Sequence, residues 1–165
     1  METRTDAASK QKVWDLIKDI QVAMLASDDG GGTMRARPMV AQQQSFDGEL
    51  WFFSWANSPK MDEIRRNPRV LLTYADPSNQ NYVSINGTAD VVRDRNKIRE
   101  LWSEGLRTWF PKGSDDPNIA LIRVEVDAAE YWDSPSSTMV HAYGYIKAQL
   151  TGEPPNPGEN KRVQF

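Results

Sequence analysis

The chain of 165 residues contains no cysteine and a single histidine, His141. Disulfides, thiolate metal sites and cysteine nucleophiles are excluded, and so is a metal site built from several histidines. No block of basic residues accumulates: 20 Lys and Arg stand interspersed with 23 Asp and Glu, for a net charge of −3. That balance argues against a protein that holds nucleic acid through its phosphates. No apolar run approaches membrane-spanning length. The opening residues, M-E-T-R-T-D-A-A-S-K, lack the apolar centre of a signal peptide, so the expectation is a cytoplasmic protein without a membrane partner. No G-x-G-x-x-G occurs, and Gly30-Gly31-Gly32 reads as a hairpin turn with no helix behind it. Internal repeats are also absent.

What the chain does have is six Trp and ten Pro, the latter mostly at element boundaries and near the end. The length suits one domain large enough to bury a core. Three parts are expected: a flexible N-terminus over 1–8, a domain over 9–150, and a flexible or partner-docked tail over 151–165. The tail, G-E-P-P-N-P-G-E-N-K-R-V-Q-F after Thr151, is too polar to form a core.

Within the domain, Ser9 is placed to cap a helix running to about Asp19, with Val13, Leu16, Ile17 and Ile20 on one face. Strands are expected over 21–27 and 33–46, the second at an edge or bulged because Pro38 removes a ladder donor. Asp47-Gly48 turns into a strand through Leu50, Trp51, Phe52 and Phe53. Further strands are expected over 69–75, 82–92 with a bulge at Gly87, and 119–126, the last continued by or paired with 129–133. Helices are expected from Asp94 to about Thr108 and near 139–150. Strands joined by tight turns with few helices predict an antiparallel barrel.

The most informative stretch is W-F-F-S-W-A-N-S-P-K-M-D-E-I-R-R-N-P, residues 51–68. Ser58 suits a helix N-cap, Pro59 the first helical position, and Asn67-Pro68 the stop. Lys60 then stands at a helix start, where the dipole disfavours a cation. A bound anion removes that conflict, and Ser54, Ser58, Lys60 and free N–H groups together make a phosphate site. An ordinary capped helix with a solvated lysine explains the stretch equally well when it is taken alone.

The run R-A-R-P-M-V at 35–40, then D-G-E-L-W-F-F-S, N-S-P-K and N-P-R-V-L-L, resembles the pyridoxamine-phosphate-oxidase-like flavoproteins of the FMN-binding split-barrel superfamily. Together with W-F-P-K-G-S-D-D-P-N and A-E-Y-W-D-S-P, it points to the general stress protein 26 branch, over roughly residues 9–150. The resemblance implies a six-stranded antiparallel split barrel with flanking helices, forming a homodimer with FMN at the interface; FAD is the alternative cofactor. It implies that Arg37, Pro38, Met39 and Val40 line the flavin, with Arg37 near the phosphate end. Phe53 and Ser54 would stand beside the phosphate, and Ser58 and Lys60 would hold it. Trp109, Phe110 and Trp132 would approach the flavin from the other chain. No residue is assigned to catalysis and no metal is implied.

Departures from the family pattern bear on the activity. Pro59 stands where the oxidases have Arg, Gln42 near where they have Lys, and S-P-S-S-T-M-V-H at 134–141 where they have an Arg-x-His segment. Pyridoxamine-phosphate oxidation is therefore not expected. Two readings remain open: a flavin-dependent oxidoreductase with a small-molecule redox partner, and a flavin carrier, buffer or sensor without turnover. His141 reads as a surface residue, and Trp14, Trp51, Trp55 and Trp102 as packing residues.

Overall fold

The computed structural model describes residues 3–41, 43–133 and 159–165. Its longest strand, β7 (Ile119–Asp133), organises the sheet. The first half of β7 pairs antiparallel with β4 (Glu49–Trp55) and its second half with β8 (Glu159–Gln164), while β6 (Asn81–Val92) runs along its other edge from Leu121 to Asp133. From β6 the order continues through β5 (Arg69–Asp76), β2 (Val22–Asp28) and β3 (Met34–Val40). A single bridge, Ala41 to Phe52, returns β3 to β4. Six strands thus close on themselves with one poorly zipped seam, which is the split barrel. Pro38 sits in β3 beside that seam, where its missing N–H costs no second ladder.

Two corrections concern the ends. Residues 1–8 were expected to be flexible, but β1 (Thr3–Arg4) pairs parallel with β8, and Asp6 rather than Ser9 caps α1 (Ala7–Ile17). The Asp6 carboxylate accepts from Ser9 N at 2.9 Å and from Ser9 Oγ at 2.9 Å. Residues 151–165 were expected to be a flexible or docked tail. Instead β8 lies in the sheet and Val163 is fully buried in the main core. Polar residues flank one inward-pointing valine, which is all that a strand near the end of a sheet, covered outside only by the two-residue β1, needs. The expected helix near 139–150 falls outside the described residues.

The expected helix over 94–108 is broken. α3 (Arg95–Leu101) stops at Trp102, and a 3-10 turn (Glu104–Thr108) follows. The break at Trp102-Ser103 turns the indole edge-on to Phe53, with centroids 5.9 Å apart. The expected strands over 119–126 and 129–133 are one strand. Its register slips where Asn86 faces Ala128 and Gly87 faces Val126, leaving Asp127 as the extra residue. Gly87 is required there because a Cβ would lie 2.6 Å from the Glu125 carbonyl oxygen.

Alternation along β4 divides the apolar interior in two. Leu50 and Phe52 point into the barrel with Leu25, Leu72, Ile85 and Ile122. Trp51 and Phe53 point outward into a second cluster with Ile98, Leu106, Phe110 and Leu121, under α3 and the 3-10 turn. The helix α2 (Pro59–Arg66) follows β4 directly and seats Met61 and Ile64 in the barrel core. No helix among the described residues is long and apolar enough to cross a membrane.

Candidate functional site

At the seam between β3 and β4 lies a cavity of about 390 Å³. Its β3 wall is Pro38, Met39 and Val40; its β4 wall is Phe53, Ser54 and Trp55; Lys60 closes it from α2. Trp109 and Phe110 form the third side. The volume falls in the range of small-molecule sites, and the mix of apolar walls with a few polar groups is their usual chemistry.

The polar end is built by the turn from β4 into α2. Ser58 takes the extended N-cap conformation, but its hydroxyl makes no bond to its own helix. It lies instead 3.3 Å from the hydroxyl of the buried Ser54, which also donates to the Trp55 carbonyl at 3.4 Å. Pro59 opens the helix without an N–H to satisfy. Lys60 is half-buried, and among the described residues its ammonium has neither a hydrogen bond nor an ion pair. Burial first, and the nearby positive charge of Arg37 second, hold its pKa below the ordinary lysine value; Glu63 offsets part of this. A partly buried, unpartnered ammonium beside two hydroxyls and a helix N-terminus attracts an anion.

Arg37 does not join this wall. On β3 it alternates to the barrel's inner face with Arg35 and Met39, and its guanidinium meets Glu63 of α2 at 2.6 Å and Ser27 Oγ at 2.5 Å. Glu63 is 3 % exposed. Burial alone would raise its pKa, but hydrogen bonds from Ser27 and Arg37 and the charges of Arg37 and Arg35 hold it below the usual carboxylate value. Arg37, expected along the flavin, is thus held in an ion pair with Glu63 and does not itself line the cavity.

Trp109 and Phe110 line this cavity within their own chain. The 3-10 turn ends with the N–H groups of Trp109 and Phe110 both donating to the Leu106 carbonyl, at 3.0 and 2.9 Å. Phe110 then packs 4.7 Å from Trp55 and 6.1 Å from Phe53, while Trp109 stays 67 % exposed at the rim. The following loop is pinned by Arg95, which donates to the Asp116 carbonyl at 2.7 Å and to that of Ile119.

Trp132 lies away from the cavity. It stands on the outer face of β7, in register with Tyr82 and Asn160, and both Trp132 and Tyr82 are exposed. Three lining residues escaped the sequence reading: Val22, Trp55 and Leu106. Trp55 was findable by alternation, two residues beyond Phe53 on the same face. Val22 was not, because it depends on the pairing of Val22 with Val40 across β2 and β3. Gln42, residues 134–141 and His141 fall outside the described residues.

A barrel closed by six strands and open along one seam places the chain in the split-barrel class. It belongs to the pyridoxamine 5'-phosphate oxidase-like family, whose model matches residues 8–156. Among curated proteins it is similar to Protein bli-3 of Neurospora crassa, 25 % identical over 140 residues, 79 % of this chain and 67 % of the relative. A protein from Jannaschia sp. CCS1 carrying the name general stress protein 26 superposes with a TM-score of 0.81 at 26 % identity, covering 97 % of this chain and all of that one. The general stress FMN/FAD binding protein of Xanthomonas citri superposes with a TM-score of 0.70 at 28 % identity, covering 80 % of this chain and 93 % of that one.

Proposed function

We propose that this chain is a flavin-binding general stress protein that holds FMN, in preference to FAD, in the cavity at the β3–β4 seam. The observation that carries the reading is Lys60: a half-buried ammonium with no partner among the described residues, next to Ser54 and Ser58, at one end of an aromatic-lined cavity. Lys60 and the two hydroxyls would take the phosphate. Pro38, Met39 and Val40 would back the ring on one side and Trp109 and Phe110 would cover another, a geometry suited to a flat conjugated ligand. The flavin-binding relative from Xanthomonas citri supports this assignment. The absorbance spectrum of the purified protein, followed by chromatography of the released cofactor, tests it: a flavin spectrum with FMN released is expected, and a colourless protein that takes up neither FMN nor FAD refutes it.

The activity that fits is oxidoreduction with a small-molecule partner. A bound flavin supplies the redox chemistry; the chain's residues bind it, orient it and keep water from it. Anaerobic mixing with NADH or NADPH should reduce the bound flavin faster than free flavin. The carrier or sensor reading is favoured by one observation, that Lys60 is the only titratable group lining the cavity among the described residues, and no reduction above the free-flavin rate would establish it. Turnover of pyridoxamine phosphate or pyridoxine phosphate is not expected, since nothing in 134–141 supplies an arginine for the substrate phosphate.

The working unit would be a homodimer. Val22, Met24, Tyr82 and Trp132 lie exposed on one outer sheet face that begins at the cavity's mouth. An apolar surface of this kind is a docking face, and a second copy there would bring Trp132 toward the site from its partner. Light scattering at micromolar concentration should give twice the chain mass; a monomer with flavin bound refutes this part.

A further inference from the structure

Two arginines on one face of α3 reach the loop over residues 109–118, and they grip it differently. Arg99 makes an exposed pair with Asp115, whose Oδ1 accepts from Nε at 3.1 Å and from Nη2 at 2.9 Å. Arg95, one turn earlier, bonds main chain instead: its terminal nitrogens donate to the carbonyls of Asp116, at 2.7 Å, and of Ile119. Both of those residues are buried. Between them, Asn118 donates its N–H to the Asp116 carboxylate at 2.9 Å, and its carbonyl accepts from the N–H of Ala56 at 2.8 Å. Ala56 belongs to the β4–α2 turn, beside the cavity-lining Trp55. Upstream, a run of tight turns carries the same hold to the aromatic side. Ile119 N donates to the carbonyl of Asp116 at 3.2 Å, Asp116 N to that of Gly113 at 3.1 Å, and Gly113 N to that of Phe110 at 3.0 Å. Arg95 thus stands at one end of a hydrogen-bonded path whose other end is the ring wall of the cavity.

We infer that Arg95 is a positioning residue for the cavity: it fixes the loop against the β4–α2 turn before a ligand arrives, so that Phe110 and Trp109 stand ready as a wall for the flavin ring. The inference rests on the flavin reading above and adds what keeps that site in shape before binding. Arg95 does not itself line the cavity; it acts through the loop. Two donors of one rigid guanidinium on two carbonyls fix both the position and the direction of the backbone between them. A ligand that must order ring-bearing side chains as it binds loses affinity for each of them, and a wall already in place avoids that loss. The exposed Arg99–Asp115 pair, by contrast, contributes little. Because Phe110 and Trp109 would meet the flavin ring and not its phosphate, FMN and riboflavin should feel the loss of Arg95 alike.

The experiment is calorimetric titration of flavin-stripped full chain with FMN and with riboflavin, the same ring without the phosphate. Arg95→Gln should weaken both by about tenfold, the usual cost of immobilising two side chains on binding. Unchanged affinities in the variant, or a loss confined to FMN, overturn this inference and leave the flavin reading intact. A wild type that binds neither flavin refutes that reading and this inference with it. A double-mutant cycle separates positioning from a general loss of structure. Trp109→Ala should weaken flavin binding in the wild-type background and do so little or not at all in Arg95→Gln, where the indole is no longer held; equal losses in both backgrounds overturn the proposal. Arg99→Ala should leave both affinities unchanged, and a loss as large as that of Arg95→Gln overturns the assignment to Arg95. Should Arg95→Gln fail to fold, the flavin-free wild type decides by amide hydrogen exchange. The N–H groups of Ala56, Gly113 and Asp116 should exchange as slowly as those of the barrel strands before flavin is added, and fast exchange there that slows only with FMN bound overturns the proposal.

Discussion

The two sides of β4 differ in kind. The side facing into the barrel is filled by Phe52 and Leu50 among aliphatic residues, and its largest members are fully buried. The outer side carries Trp51, Phe53 and Trp55 against Phe110 and Trp102, and there the packing leaves a cavity of about 390 Å³. Branched aliphatic side chains interdigitate to crystal-like density. Rigid planar rings meeting at tilts of 52° to 71° do not. One strand of seven residues thus builds a sealed core on one face and a recess on the other, and the choice is made by ring against branch rather than by hydrophobicity.

The largest effect that separates the two sides is expected from Phe52→Ala. Its ring is completely buried, so about 3–5 kcal/mol of stability should be lost in urea unfolding, with flavin affinity of the remaining folded protein unchanged. Phe53→Ala should cost less stability, because its ring already borders a void, and should weaken flavin binding. Equal destabilisation at both positions would break the contrast.

Next in size is Lys60→Ala. Loss of a charge-assisted bond to phosphate should cost about 1.5–3 kcal/mol of FMN affinity, roughly ten- to a hundredfold, with riboflavin binding and unfolding midpoint little altered. Equal losses for both flavins would show that Lys60 does not meet the phosphate. Trp109→Ala should act still more weakly. The indole is 67 % exposed, so stability should change by less than about 0.5 kcal/mol. Its loss should reduce affinity for FMN and riboflavin alike by about 0.5–1.5 kcal/mol, the worth of one aromatic contact, and should brighten the bound flavin's fluorescence.

The smallest effect, and the one that sharpens the contrast without mutation, is that of pH. The pKa of Lys60 is lowered from 10.5 by burial and by Arg37. Phosphate binding needs the protonated form, so FMN affinity should be full below that lowered pKa and decline as pH rises through it. The decline should begin at a lower pH than an ordinary lysine would give, while riboflavin affinity stays flat over the same range. An FMN profile unchanged up to pH 10.5 would refute the assignment.

Much of the barrel was readable because its strands announce themselves by alternation and by turns such as Asp47-Gly48. The β4–α2 stretch was readable because Ser58, Pro59 and Asn67-Pro68 are local signals acting within a few residues. The pairing of Arg37 was not readable locally. Its neighbours Pro38, Met39 and Val40 line the cavity, whereas the Arg37 guanidinium meets Glu63, 26 residues on. β8 was missed because a run such as E-N-K-R-V-Q is polar at every position but one, and only the waiting edge of β7 makes it a strand. The broken helix at Trp102 illustrates tertiary override: helical spacing continued past Trp102, and the contact with Phe53 won.

The pairing of Asp133 with Glu159 at the end of β7 has a consequence for descent. The two residues that bound 134–158 sit opposite each other, about 5 Å apart at Cα as cross-strand partners do. The two points that bound this stretch are thus as close as the ends of a hairpin. Closing a chain between two fixed points costs only about 0.6 kcal/mol more for each doubling of its length. Insertions and deletions among relatives are therefore expected to cluster between these two positions, which an alignment of the family would check.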